Sequence, residues 1–307
     1  MAPLRDRLQD LVVPYQRASV IVHADTRTPR RGAWNVQIFH GLGDKGYTGN
    51  ATFLQVGRSP KLRTAATMLA HALGSSRSFL EPPAAAKRAS RYQQVNAYGK
   101  RMADQLESLL DGAEITRFGH PALNDLGPLM PDPAGPLLWV PTWDNRRTMG
   151  GPPQSGLSPF AHEVALMAKR LPVLVKYHPL TIRYNQDKAA RAELANAGVS
   201  LIPANDSPYP HLRGVRGVLT DSSSLGFEAF CLGLPVAIAR PKGTNLGGLH
   251  AELEERVPVL SPGKPDLIAW AEAPPTPGGR AWARELLDTP TPGLNDAHAK
   301  HLRQRVQ

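Results

Sequence analysis

Residues 217–239 constrain the fold more than any other stretch, because they spell out a complete strand–turn–helix–strand unit. Gly217-Val218-Leu219 is a short apolar strand that breaks at Thr220-Asp221, and the serines Ser222, Ser223 and Ser224 follow. A helix then places Leu225, Phe227, Phe230, Cys231 and Leu232 toward a core, Gly233 stops it, and Pro235-Val236-Ala237-Ile238-Ala239 opens a second buried strand. Strands joined this way lie parallel through a right-handed crossover. The polar turn between strand and helix directs unpaired backbone N–H groups, reinforced by the helix dipole, at one spot. Such a turn binds phosphate without a metal.

The same alternation runs along the chain. Apolar runs predict strands at 19–23, 36–40, 93–95, 115–118, 137–141, 173–177, 199–202, 217–220 and 236–239. Amphipathic runs predict helices at 60–73, 99–110, 159–170, 188–197, 223–232, 265–271 and 280–287. This is an α/β pattern of doubly wound parallel sheets covered on both faces. The tract from Leu123 to Pro136 holds four prolines and few helix formers, which makes it the best domain boundary. An N-terminal Rossmann-like domain over 1–130 and a C-terminal one over 131–307 are therefore expected to face a cleft. Breakers at 275–279 and 289–293 isolate terminal helices that can pack back on the first domain. Ligands of such folds sit at the carboxyl ends of the strands, where His40, His178 and Asp221 with its serines all fall.

Composition removes several alternatives. No run of about 18 uninterrupted apolar residues exists, so no membrane-spanning helix is expected. The charged start MAPLRDRLQD does not read as a secretory signal. Cys231 is the single cysteine, which excludes an intrachain disulfide and a thiolate metal cluster, and it reads as a small buried hydrophobe. A cytoplasmic location is the expectation. Lys and Arg exceed Asp and Glu by 36 − 26 = 10, which favours anionic partners. The basic residues are dispersed, however, and no RNA-binding motif, zinc finger or basic zipper is visible. No specific nucleic-acid partner is expected.

Three constellations carry candidate chemistry. In residues 35–49, NVQIFHGLGDKGYTG, a strand delivers His40 into a loop with Gly41, Gly43, Gly46 and Lys45. His40 is either a general base or a histidine bridging a turn, and Lys45 either meets phosphate or is solvated. The spacing is not that of a P-loop. In residues 173–180, Pro179 ends ladder pairing and holds His178 extended after Lys176, where it suits a diphosphate or merely terminates a strand. In the third, Asp221 or Ser222 is expected to cap the helix, with Ser223 and Ser224 in its first turn. Glu228 either accepts hydrogen bonds from a ribose or pairs with Arg213 or Arg216. The strands at 115–118 and 137–141 are expected to add cleft-lining residues, among them Thr142 and Trp143.

Five elements, in order, resemble the CDP-glycerol glycerophosphotransferases, the teichoic-acid primases and polymerases. FHGLGDKG is similar to their His-Gly strand end with its lysine, and FGHPALNDL to their Gly-Tyr-Pro-Lys-x-Asp element. LLWVPTWDN resembles their strand ending in Ala-Pro-Thr-Trp, KYHPL their Arg/Lys-x-His-Pro, and LTDSSSLGFEAFCLGLPVA their Thr-Asp-Tyr-Ser-Ser helix and following strand. Ser222 stands where the family has tyrosine, and His120 where its turn has an aromatic.

The resemblance implies a GT-B-like fold and transfer of a polyol phosphate, most simply glycerol phosphate, from a CDP-activated donor. The acceptor would be the hydroxyl of a glycan or a lipid-linked chain, and the setting cell-envelope polymer synthesis. No cofactor or essential metal is implied. By the same resemblance His40 takes the acceptor proton and His178 neutralises the diphosphate. Thr220, Ser222, Ser223 and Ser224 with Gly41 and Lys45 surround phosphate, while Asp221 and Glu228 organise the loop and nucleotide. Thr142, Trp143 and Lys176 line the cleft. Two rivals are a GT-B glycosyltransferase using a nucleotide sugar and a non-catalytic protein that binds anionic polymers. The basic, amphipathic stretch 57–74 reads either as a peripheral contact with the inner face of an anionic membrane or as a domain-packing helix.

Overall fold

The structure is a computed structural model that describes residues 20–23, 34–38, 93–109, 112–144, 154–244, 248–275 and 277–305. Two parallel sheets organise it. The first contains β1 (Val20–His23), β2 (Trp34–Ile38), β3 (Gln94–Asn96) and β4 (Glu114–Thr116) in chain order, with α1 (Lys100–Leu109) between the last two. The second contains β5 (Leu137–Val140), β6 (Val173–Lys176), β7 (Ser200–Ile202), β8 (Gly217–Thr220), β9 (Val236–Ala239) and β10 (Val259–Leu260). Its spatial order is β10-β9-β8-β5-β6-β7, all parallel. Its helices are α2 (Leu157–Met167), α3 (Pro179–Arg183), α4 (Lys188–Asn196), α5 (Leu225–Leu232), α6 (Gly248–Glu254) and α7 (Asp266–Glu272). The terminal helices are α8 (Arg280–Leu286) and α9 (Leu294–Arg305). The α/β class with parallel sheets matches the alternation read from the sequence.

The second sheet is buried on both faces, and the two-residue period of a strand divides its side chains between two cores. Leu138, Val140, Val218, Val236 and Ile238 join α5 residues Phe227, Phe230 and Leu232 and the α8 residue Trp282 in one core. That core also takes Val95, Met102 and Leu106 from β3 and α1. Leu137, Trp139, Val175, Leu219, Ala237 and Ala239 point the other way, against Leu157, Phe160 and Val164 of α2, Leu194 of α4 and Trp270 of α7. Pure apolar strands need exactly such double cover to leave water.

Gly233 ends α5 as expected, at φ 98°, a left-handed conformation that costs glycine least. Gly226 serves a different purpose in the same helix. A Cβ there would lie 2.6 Å from Thr220 Cγ2, so glycine lets α5 press directly on the end of β8.

The terminal helices contact the first sheet's residues. Arg305 donates to Glu114 at 2.7 Å, and the Phe118 ring stacks on His298 with centroids 4.5 Å apart. Arg101 of α1 forks onto Glu252 of α6 with two bonds of 2.6 Å, and Trp282 Nε1 of α8 donates to the same carboxylate at 2.9 Å. The residues after Phe118 form turns at 121–126. Leu126 and Leu129, at the start of the proline-rich tract, pack against or within the first core. No helix among the described residues is long and apolar enough to cross a membrane.

Candidate functional site

The second sheet reverses direction between β5 and β8. From β5 the chain moves outward through β6 to β7, then returns to place β8 on the other side of β5. Ligands of open α/β sheets bind beyond the carboxyl ends at such a switch point. Val140 and Thr220, the last residues of the two strands, are direct neighbours in register. Their following loops, 141–144 and 221–224, therefore emerge side by side.

Asp221 fastens these loops together. The Thr142 N–H donates to both of its oxygens at 3.0 and 2.9 Å, the Gly156 N–H donates at 2.7 Å and the Ser222 N–H at 2.6 Å. Burial pushes this carboxyl up to about 6, and the amides that donate to it hold it back from rising further. Ser155 Oγ adds a bond of 2.8 Å to the Thr142 carbonyl. The expectation that Asp221 or Ser222 caps the helix is overturned. Asp221 turns away from α5 toward backbone donors 79 and 65 residues distant in sequence, and Ser224 takes the cap position.

That exchange sets the chemistry of the turn. Ser223 and Ser224 precede α5 instead of lying in its first turn, and both are half-buried rather than sealed. The Ser223 carbonyl receives the Gly226 N–H, the Ser224 carbonyl receives those of Phe227 and Glu228, and Ser223 Oγ accepts weakly from Leu225 at 3.4 Å. The N–H groups of Ser223 and Ser224 find no acceptor among the described residues. Ser222 Oγ is buried there and likewise lacks a partner. Two consecutive backbone donors at the positive end of an eight-residue helix form an anion-binding geometry.

On the other side of β5, β6 delivers His178. This residue is extended at φ −63° and ψ 139°, as Pro179 requires, and its Nδ1 accepts the Leu180 N–H at 3.1 Å. Nδ1 is thus an acceptor, which places the proton of the neutral ring on Nε2. The sequence reading missed α3, in which Pro179 occupies the first helical turn, where a missing N–H costs nothing. Trp143 comes from the loop after β5, the strand that separates β6 from β8. Its ring is near-parallel to that of His178 with centroids 6.2 Å apart, and Thr142 and Trp143 are both half-buried. β6 and β8 flank β5, so their ends are separated by two strand spacings, about 10 Å.

Other expected site residues are turned elsewhere. Lys176 is buried, and its ammonium donates to the Ala204 carbonyl at 2.7 Å and the Tyr177 carbonyl at 3.3 Å instead of lining a cleft. Burial lowers its pKa, with Asp206 opposing that shift. Thr220 is buried with its hydroxyl toward the Val140 carbonyl at 3.5 Å, so it supports the strand pair and does not reach a ligand. Glu228 is fully buried and faces neither a ribose nor Arg213 or Arg216, which donate to backbone carbonyls. Its carboxylate lies 3.6 Å from His120 Nε2 and accepts from Tyr209, whose hydroxyl is held well above the ordinary range by burial and by this carboxylate. His120 packs on Tyr98 with centroids 4.6 Å apart. Cys231 is half-buried with its thiol 3.6 Å from the Ala283 carbonyl, and burial pushes that thiol up. His40, Gly41, Lys45 and the 57–74 stretch lie outside the described residues. Among the described residues no three His, Cys, Asp or Glu side chains converge as a metal site.

The sequence reading did not single out His250. It is buried on α6, donates through Nε2 to the Ser222 carbonyl at 3.2 Å, and meets the Phe227 ring edge-on at 4.9 Å.

Comparison of the architecture with solved structures returns the wall teichoic acid polymerase TagF. A TagF variant soaked with CDPG matches at a TM-score of 0.59 with 15% identity, over 95% of this chain and 73% of TagF. A second TagF variant matches at 0.54 with 14% identity, over 95% of this chain and 75% of TagF. The chain shares its fold with a wall teichoic acid polymerase. The fold class is thus α/β and GT-B-like, in line with the resemblance carried by the five sequence elements. No protein-family model matches the sequence, and no curated protein matches it significantly.

Proposed function

We propose that this protein is a transferase that moves a polyol phosphate, with glycerol phosphate as the leading choice, from a CDP-activated donor to an acceptor hydroxyl. The observation that carries this reading is the turn after β8. Two adjacent backbone N–H donors without an acceptor among the described residues stand at the switch point of a sheet with the TagF fold. The donor diphosphate would rest on these groups, and His178 Nε2 would approach it from the β6 side.

The reaction in this reading is an in-line displacement at the β-phosphorus. The acceptor oxygen forms a bond to phosphorus as the bridging P–O bond breaks, and the electron pair leaves on the phosphate of CMP. His40 takes the acceptor proton. The charge that grows on the leaving phosphate meets the Ser223 and Ser224 N–H groups and His178, and fixed donors of this kind lower such barriers by about 3 kcal/mol. The scheme uses no cofactor. A glycan or lipid-linked acceptor, work in cell-envelope polymer synthesis, and a peripheral position on the inner face of the membrane complete the proposal.

The deciding experiment is release of CMP from CDP-glycerol with and without glycan or lipid-linked acceptors. Acceptor-dependent release supports the reading. Turnover of a nucleotide sugar with none of CDP-glycerol would transfer the site to a glycosyltransferase. Thermal stabilisation by oligonucleotides but not by CDP would mark a non-catalytic binder of anionic polymers.

A further inference from the structure

We propose that His250 is a positioning residue for this anion site, acting through the Ser222 peptide group rather than by touching the ligand. The inference deepens the functional reading above and rests on its diphosphate-binding turn.

The argument begins with the geometry of one peptide bond. All peptide bonds of the described residues are trans, so the C=O of Ser222 and the N–H of Ser223 lie in one rigid plane and point in opposite directions. His250 Nε2 donates to that C=O at 3.2 Å. The Ser223 N–H must therefore point away from α6. It is one of the two N–H groups in the turn with no acceptor among the described residues.

The rest of Ser222 is fixed as well. Its own N–H is held by Asp221 Oδ1 at 2.6 Å, and its buried hydroxyl, unpartnered among the described residues, sits in the same turn. Asp221 thus fixes where the turn starts, while His250 fixes which way its first open donor faces. Without the histidine, the peptide is free to flip and expose its carbonyl to the anion. A carbonyl dipole in place of an N–H repels phosphate.

His250 is itself well braced. It is buried, and the edge of Phe227, on the helix that carries the site, restricts its ring. Only the form with a proton on Nε2 donates to a carbonyl, and both the cation and one neutral tautomer have it.

The test compares the wild-type protein with His250→Leu, which fills the site without a donor, and His250→Gln, which keeps an N–H near the position of Nε2. Binding of inorganic pyrophosphate and of CDP is measured by calorimetry. Loss of one directed donor corresponds to roughly a tenfold weakening. The expected result is that His250→Leu weakens both ligands by about that factor, while His250→Gln recovers most of the affinity. Undiminished binding by His250→Leu overturns the inference, as does equal loss in both variants. If the wild type binds pyrophosphate but not CDP, the nucleotide reading falls while the role of His250 is still tested by pyrophosphate. Binding of neither ligand removes both. A wild-type measurement guards against variants that do not fold: hydrogen exchange at the Ser223 amide should be fast without ligand and slowed by pyrophosphate, and exchange unaltered by bound pyrophosphate also overturns the inference.

Discussion

After β6 the chain enters α3 with His178 Nδ1 closing on the Leu180 N–H, whereas after β8 it enters α5 with Ser224 at the cap making no side-chain bond. The same strand-to-helix connection has thus been finished in two ways. At α3 a side chain consumes a donor, and at α5 the donors of Ser223 and Ser224 are left for something else. Asp221 explains the difference, since it spends its carboxylate on Thr142, Gly156 and Ser222 instead of on the helix behind it. An unfinished cap is informative only when the nearest candidate cap is visibly occupied elsewhere.

The strongest way to break this contrast is Asp221→Ala. Three backbone donors would lose their acceptor, at about 1 kcal/mol each, so urea unfolding should report a loss of about 3 kcal/mol. The charge itself has a separate signature. The Asp221 pKa is raised from 3.8 to about 6, so between these values the folded state binds the extra proton. Stability from this group is therefore fully present below its unfolded value and falls as pH rises toward about 6, by up to about 3 kcal/mol. Asp221→Asn should flatten that slope.

The next test separates the two uses of His178. Asparagine is a good N-cap, so His178→Asn should keep stability within a few tenths of a kcal/mol while His178→Ala loses about 1 kcal/mol. Turnover should fall about a hundredfold in both. If His178→Asn retains near-normal turnover, the imidazole serves α3 alone.

The smallest effect is expected at Ser224, whose φ of −58° suits proline. Ser224→Pro deletes one N–H and should weaken pyrophosphate about tenfold. Ser224→Ala, which keeps that N–H, isolates the hydroxyl. Equal binding by the proline variant and wild type would show that this donor does not meet the anion.

Much of the fold was legible because its strands are short, uniformly apolar and punctuated by proline and glycine. β9 follows Gly233 and Pro235, and both its faces are buried as its composition demands. What escaped had weak patterns. β10 has only two residues and α6 is a seven-residue helix. At the site, the sequence marked the turn but not its wiring. Periodicity places Glu228 one turn after Ser224, yet its partners His120 and Tyr209 come from other parts of the chain. Asp221 misled for the same reason, since local spacing favours a cap and only tertiary structure brings Thr142 and Gly156 within reach. His250 belongs to no motif, and its value lies wholly in the carbonyl it meets.

The short helix α6 links two parts of the molecule mechanically. His250 and Glu252 sit two positions apart, which directs them to different sides of its axis. One grips the serine turn while the other is locked in the fork of Arg101, from the helix between β3 and β4. Swinging the first sheet against the second must therefore either drag α6 along, tugging on the Ser222 carbonyl, or unlock that fork.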